Sequence, residues 1–282
     1  MKLKLPNWGS LCNPNLLMNC DYRSGIINQK GETSYAYVDK ALLTIDGWIS
    51  YGVNVGLDAD SIRIINRQTS DRTLRQYVEG KSGTYTVYVN VKSITGNVYV
   101  NFNQDISKNK KLVKGKNIFQ ITLSSSENLS SFTLLLEANA DIYIHCMKLE
   151  PGEHFTGMPA WNESIELLKC YAKYYCFNAQ PNINNNKYML AVQVATNKAR
   201  MTIDLPTQIN KTPSVKLGYL YIVGIATGAW HLVTSVTAIN YVGNKLTLDL
   251  QTQDNISSSV NNPVYALFTK DGYLEVDMYD YD

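Results

Sequence analysis

Apolar and polar residues alternate with a period of two over most of the chain, the mark of strands with one face buried. Before residue 150 this pattern predicts strands over Trp48–Val55, Thr84–Val91, Val98–Phe102, Lys116–Leu123, Phe132–Glu137 and Ala140–Leu149. After residue 180 it predicts Tyr188–Ala195, Ala199–Leu205, Ser214–Val223, Trp230–Tyr241, Lys245–Gln251, Val264–Thr269 and Tyr273–Tyr279. Turns such as Gly96-Asn97 separate the runs, and regular spacing of short strands indicates sandwich architecture. One stretch breaks the period. Ile165, Leu168, Ala172 and Tyr175 recur at i, i+3, i+7 and i+10, giving a single apolar helical stripe. Pro151 and Pro159 block helix before it, Asn162 is placed to cap it, and Glu163 and Glu166 favour its N-terminus. The expected fold is therefore all-β: two β-sandwich (jelly-roll-like) domains, 1–152 and 178–282, joined by a linker and one short α-helix over 153–177.

Composition narrows the function classes. The net charge of +2 spread over 282 residues leaves no concentrated basic stripe of the kind nucleic-acid binders carry. Lys108, Lys110, Lys111, Lys114 and Lys116 sit among Asn and Gly and read as a solvated turn. Tyrosine is abundant, 20 residues against 6 Phe, which suits wet strand surfaces or sugar contacts as well as ordinary strand propensity. Cys12, Cys20, Cys146, Cys170 and Cys176 form an odd set without CxxC spacing, so free thiols in a reducing cytoplasm are expected. The N-terminus lacks the apolar run of a signal peptide, and no stretch approaches a membrane span.

Catalytic chemistry finds little footing. His145, His154 and His231 have no second histidine at metal-ligand spacing, and no nucleophile elbow, P-loop or dinucleotide fingerprint occurs. Asp58 and Asp60 are a fragment of a calcium loop and read better as a turn. Asp277, Asp280 and Asp282 make an acidic tip best read as a tail. Asp21 and Arg23 are placed for a surface ion pair. Trp48 opens an alternating strand and is assigned to the core. The candidates for ligand contact are Trp230 and His231, which follow the Gly-containing segment 226–229, with Tyr219, Tyr221 and Tyr241 weaker. An aromatic there could stack on a sugar, or pack on a neighbouring subunit, and the packing reading stands first. No catalytic residue, metal or cofactor is expected.

Several segments resemble phage tail-fibre and tail-appendage proteins. Asn15-Leu16-Leu17-Met18-Asn19-Cys20-Asp21-Tyr22, then Ile27-Asn28-Gln29-Lys30-Gly31 and Gly47-Trp48, are similar to that family's opening, with Tyr22 for Phe, Lys30 for Arg and Gly47 for Arg. The strand Asp141–Glu150 resembles the closing strand of carbohydrate-binding-module jelly rolls. The linker Lys148–Gly152 and the segment Glu166–Tyr175 are similar to the family's linker and helix, with Tyr171, Ala172 and Lys173 departing. Leu205–Pro213 and Asp271–Asp277 are similar to segments of its C-terminal domain, with Ile209 for Met and Asn210 for Arg. The resemblance implies a non-enzymatic virion protein assembled in the bacterial cytoplasm. Its helix would help form a homotrimer that docks on other tail proteins and adheres to host-surface glycans without inserting in a membrane. Two other roles stay open: a purely structural baseplate or head-decoration component, and an accessory carbohydrate-binding domain of a glycan-degrading system.

Overall fold

In a computed structural model, residues 13–29, 31–36, 41–171, 174–178, 187–209, 212–225, 228–258, 260–268 and 273–278 are described. The chain divides into two compact units, Met1–Leu167 and Leu168–Asp282.

Alternation in the first unit yields twelve strands: β1 (Ser34–Tyr35), β2 (Leu42–Leu43), β3 (Ile49–Tyr51), β4 (Asn54–Asp58), β5 (Ser61–Ile65), β6 (Arg72–Gly80), β7 (Gly83–Thr95), β8 (Val98–Phe102), β9 (Lys110–Lys111), β10 (Gly115–Leu123), β11 (Leu129–Leu136) and β12 (Asp141–Pro151). They form two six-stranded sheets, ordered β1-β4-β5-β12-β7-β10 and β2-β3-β6-β11-β8-β9. Every pairing between these strands is antiparallel, as a jelly-roll-like sandwich requires. The pattern anticipates β7, β8, β10, β11 and β12, whereas β5 and β6 go unpredicted. Inward Val87, Val89 and Val91 of β7 and Ile142 and Ile144 of β12 meet Leu74, Phe102, Phe132 and Leu134 of the other sheet in one buried cluster.

Trp48 lies in that cluster, wholly buried and edge-on to Phe132 at 6.1 Å between centroids. Gly47, before it, has φ +92, and a Cβ there would lie 2.6 Å from Met18 Cγ. The left-handed backbone and the close approach of Met18 are what call for glycine here. The asparagines of the opening segment are fasteners. Buried Asn19 donates to the carbonyls of Ile27 and Asp46 and accepts from the Ile27 amide. Asn15 Oδ1 accepts from the amides of Leu17 and Leu149. With these bonds, Leu16, Cys20 and Tyr22 run alongside the second half of β12 and pair with Leu149, Met147 and His145.

The linker folds back on the sandwich. A register irregularity between Ile144 and Cys146 turns Lys148 and Glu150 away from the core, yet both side chains are fully buried. Lys148 Nζ donates to Glu150 Oε2 (2.9 Å), Thr156 Oγ1 (2.9 Å) and the Gly157 carbonyl (2.7 Å), while the Thr156 amide donates to Glu150 Oε1 (2.8 Å). Burial raises the Glu150 carboxyl, but the hydrogen bonds from Thr156 and Lys148 outweigh it and hold the group below the usual carboxylate range. Phe155 stacks on Tyr88 at 4.4 Å.

The helix, α1 (Glu163–Tyr171), begins as expected: the Ile165 amide donates to Asn162 Oδ1 at 3.1 Å. It is shorter than the stripe implies. Strand propensity wins at Tyr174, and β13 (Tyr174–Asn178) starts there. Then follow β14 (Lys187–Ala195), β15 (Lys198–Asp204), β16 (Ser214–Leu217), β17 (Leu220–Gly224), β18 (Trp230–Val242), β19 (Lys245–Thr252), β20 (Pro263–Phe268) and β21 (Tyr273–Asp277). Where two stacked open sheets are expected, β14-β15-β19-β18-β17-β20 close into a barrel, and β13-β21-β16 form a separate three-stranded sheet. The thirteen-residue β18 carries two register irregularities that bend it, which helps a sheet curl on itself. Alternating Met201, Ile203, Leu246, Leu248, Leu250 and Phe268 fill the core.

Candidate functional site

Side chains directly opposite each other in antiparallel strands point to the same face. In the second sheet of the first unit, Arg75 of β6 pairs with Thr133 of β11, and Thr133 pairs with Asn101 of β8. One pair along lie Thr73, Leu135 and Tyr99, and Tyr51 of β3 pairs with Thr73. The opposite face carries Leu74, Leu134 and Val100, which sit in the core, so this row faces outward.

An outward row of polar residues should be wet, yet Thr133 is 0%, Asn101 2% and Arg75 8% exposed. Thr133 Oγ1, Asn101 Oδ1 and Arg75 Nε are buried and have no hydrogen-bond partner. Asn101 spends its amide nitrogen on Asn109 Oδ1 at 2.8 Å, which leaves the carbonyl oxygen unspent. The Arg75 guanidinium lies 4.2 Å above the Tyr51 ring, and its Nη2 makes one long bond to Thr73 Oγ1 at 3.4 Å. Tyr51 and Tyr77 share a hydroxyl–hydroxyl bond of 3.0 Å. Burial, then that bond, pushes the Tyr51 phenol well above its usual value, against the smaller pull of Arg75. Tyr99 closes the far side and donates to Glu137 Oε1 at 3.0 Å, while Asn97 donates to Glu137 Oε2 at 2.6 Å. The result is a floor of unspent hydrogen-bonding groups flanked by three tyrosines. Desolvated polar atoms of this kind cost stability unless water or a ligand satisfies them.

The residues singled out in the sequence lie in the second unit. Trp230 pairs with Val223, and its ring meets Tyr221 at 5.6 Å. Tyr219, just before β17, is exposed. His231 points the other way: it pairs with core residue Ile222 and is buried, with Nδ1 3.1 Å from Asp254 Oδ1. Alternation along β18 thus separates the two residues that sequence adjacency joined. Trp230 belongs to an apolar row on the barrel's exterior, Leu190–Tyr265–Val223–Trp230, one residue from each of four paired strands. Leu190 is 65% and Trp230 52% exposed. A cleft of about 240 Å³ lined by Gln193, Gly224, Ile225, Ile256 and Val264 opens nearby, where the Gly224 amide bonds the Ala229 carbonyl. Tyr241 is partly buried against the barrel core.

Of the helix stripe, Ile165 and Leu168 are half exposed on α1 and Ala172 lies outside the described residues. Tyr175 sits on β13, packed against the barrel-unit core and edge-on to Tyr171, so it does not extend the stripe. Asp58 and Asp60 do form a turn, and Lys92 Nζ bridges them at 2.9 and 2.7 Å. Asp21 and Arg23 pair at 3.1 Å, though Asp21 is nearly buried. Among the described residues no group of three or more His, Cys, Asp or Glu could hold a metal, and no helix is long and apolar enough to cross a membrane.

The tyrosine-flanked floor escapes sequence reading because β6 is unpredicted and because its members come from positions 51, 75, 77, 99, 101 and 133. Alternation alone puts Tyr99 and Asn101 on one face of β8. Only the register brings Thr133 and Arg75 beside them.

No protein-family model and no curated protein matches the chain. Solved structures similar to parts of it include a family 29 carbohydrate-binding module from Piromyces equi, at 9% identity over 42% of this chain and 92% of that one, TM-score 0.25. The N-terminal tandem CBM22 domain of Xyn10C from Paenibacillus barcinonensis aligns at 11% identity over 95% and 97%, TM-score 0.29. The adhesin domain of Epf from Streptococcus pyogenes aligns at 13% over 92% and 87%, TM-score 0.30. At these scores the likenesses carry no functional weight.

Proposed function

We propose that this chain is a non-enzymatic glycan-binding protein of a phage or prophage tail appendage, with the sandwich of the first unit as its sugar-binding part. The observation that carries the glycan reading is the row Arg75–Thr133–Asn101, with unspent polar atoms between tyrosine rings. A sugar presents hydroxyls to such a floor and apolar C–H faces to such rings. Both oxygens of Glu137 at the edge accept hydrogen bonds, which suits an acceptor holding Tyr99 in place.

The appendage part of the reading is supported by the tail-fibre-like segments around Asn15–Tyr22 and Lys148–Tyr175. Apolar surface without sugar-facing polar groups supports self-association, as a homotrimer: Ile165 and Leu168 on α1, and the barrel row with Leu190, Tyr265 and Trp230. On this reading Trp230, Tyr221 and Tyr219 meet protein, and the virion is where the chain works. The alternative of a purely structural virion component draws on the same apolar row and would leave the first unit's floor to water.

Glycan-array binding by the purified chain, together with blocking of phage adsorption, tests the proposal. Binding is expected, weakened at least about tenfold by Asn101→Leu. Silence of the intact chain in both assays would leave the structural role standing. Sedimentation velocity tests the assembly: an oligomer is expected for the intact chain and a monomer for Leu190→Asp with Trp230→Asp.

A further inference from the structure

We infer that the face around Arg75 takes an anionic sugar, one bearing a carboxylate such as a uronic or sialic acid. This inference rests on the glycan-binding reading and names the class of glycan.

Arg75 is the ground for it. A guanidinium is always charged, and a buried one is normally matched by a carboxylate. Arg75 is 8% exposed and forms no ion pair with any described residue, while its Nε–H is unspent. The contacts it does make, the Tyr51 ring at 4.2 Å and the long bond to Thr73, offer no counter-charge. Of the acids near this face, Glu137 has both oxygens taken by Asn97 and Tyr99, and Asp71 and Glu79, toward the two ends of β6, form no ion pair with Arg75. Elsewhere in the same unit Arg63 forms a close pair with Asp141 at 2.6 Å, so the fold supplies partners where it needs them.

The geometry also says how the anion would sit. The edge of the guanidinium formed by Nε and Nη2 matches the two oxygens of a carboxylate, and a fork of this kind is the strong form of the contact. Thr133 Oγ1 lies one strand over and Asn101 Oδ1 the next, at the same register level. Lys111, exposed and paired with Tyr99 on this face, adds positive potential at the rim.

The experiment is a binding panel of uronate- and sialate-bearing oligosaccharides, each paired with its carboxyl-reduced neutral form, measured by calorimetry on the full chain. At least one acidic member is expected to bind about tenfold or more tightly than its reduced form, the fold-change of a charge-assisted bond, and to weaken as salt rises. Arg75→Gln should abolish that preference, and Arg75→Lys, which keeps charge without the fork, should keep part of it. Circular dichroism and the thermal midpoint of each variant establish that it is folded. Equal binding of acidic and reduced forms, or a preference that survives Arg75→Gln, overturns the inference while glycan binding stands. If no member of either set binds, the glycan reading falls with it.

Discussion

Thr133 offers a direct measure of what the candidate floor costs the fold. Its side chain is fully buried and its hydroxyl has no partner. A buried hydroxyl left without a hydrogen bond costs about 1–3 kcal/mol, and valine offers nearly the same shape with an apolar methyl instead. Thr133→Val should therefore stabilise the first unit by about 1–2 kcal/mol. For a unit of this size that raises the thermal midpoint by about 2–4 °C per kcal/mol. The readout can be confined to the right unit. Trp48 and Trp161 belong to the first unit and Trp230 to the second, so in a Trp8→Phe, Trp230→Phe background tryptophan fluorescence follows the first unit alone. Urea unfolding should show a higher midpoint at unchanged slope. The same variant should bind glycan more weakly, since it gains stability by losing a contact group. A loss of about 1 kcal/mol or more in Thr133→Val would refute the reasoning, because it would mean that the hydroxyl is satisfied in the native protein and serves packing.

Three further outcomes follow from the geometry. Lys148→Met leaves Glu150 buried without its cation and should cost about 3–5 kcal/mol in urea unfolding, with much of it recovered in the Lys148→Met, Glu150→Leu double variant. At Lys108, whose amine bonds Asp105 (2.6 Å) and Glu127 (2.7 Å), hydrogen bonds from the lysine and nearby serines lower both carboxyls to about 2. Because these pKa values are depressed, the contribution is present above the ordinary carboxylate range and lost as pH falls toward 2; amide protection in the 124–129 turn, taken relative to the intrinsic exchange rate at each pH, should fall over that window, and not in Lys108→Met, where it is already low. Burial, opposed in part by Arg23, pushes the Cys146 thiol up to about 11, so with Cys20 and Cys170 it should resist a disulfide reagent at pH 8 until the chain unfolds.

Local pattern carried most of the strand content. Val98–Phe102 and Lys198–Asp204 alternate cleanly because each has one core face and one outer face, and that contrast is written in residue type. The helix start at Asn162 was equally legible, since a cap acts within three residues. Arg72–Gly80 was not, because Arg75 and Gln76 are buried polar residues and blur the alternation that periodicity reads. Tyr175 lies at helical spacing from Ile165, yet its strand is decided by pairing with Val276, a hundred residues away.

The chain by itself determined that the protein is β-structured, where its core residues fall along each strand, and that it lacks familiar catalytic signatures. Tertiary structure decided the rest. Closure of the second unit into a barrel depends on which strands meet at its edges, and that is a matter of register and bulges between distant segments. The candidate site has the same origin. Arg75, Thr133 and Asn101 are unremarkable in sequence, and only cross-strand pairing sets a guanidinium, a hydroxyl and an amide side by side, with Arg75 Nε, Thr133 Oγ1 and Asn101 Oδ1 unanswered among the described residues.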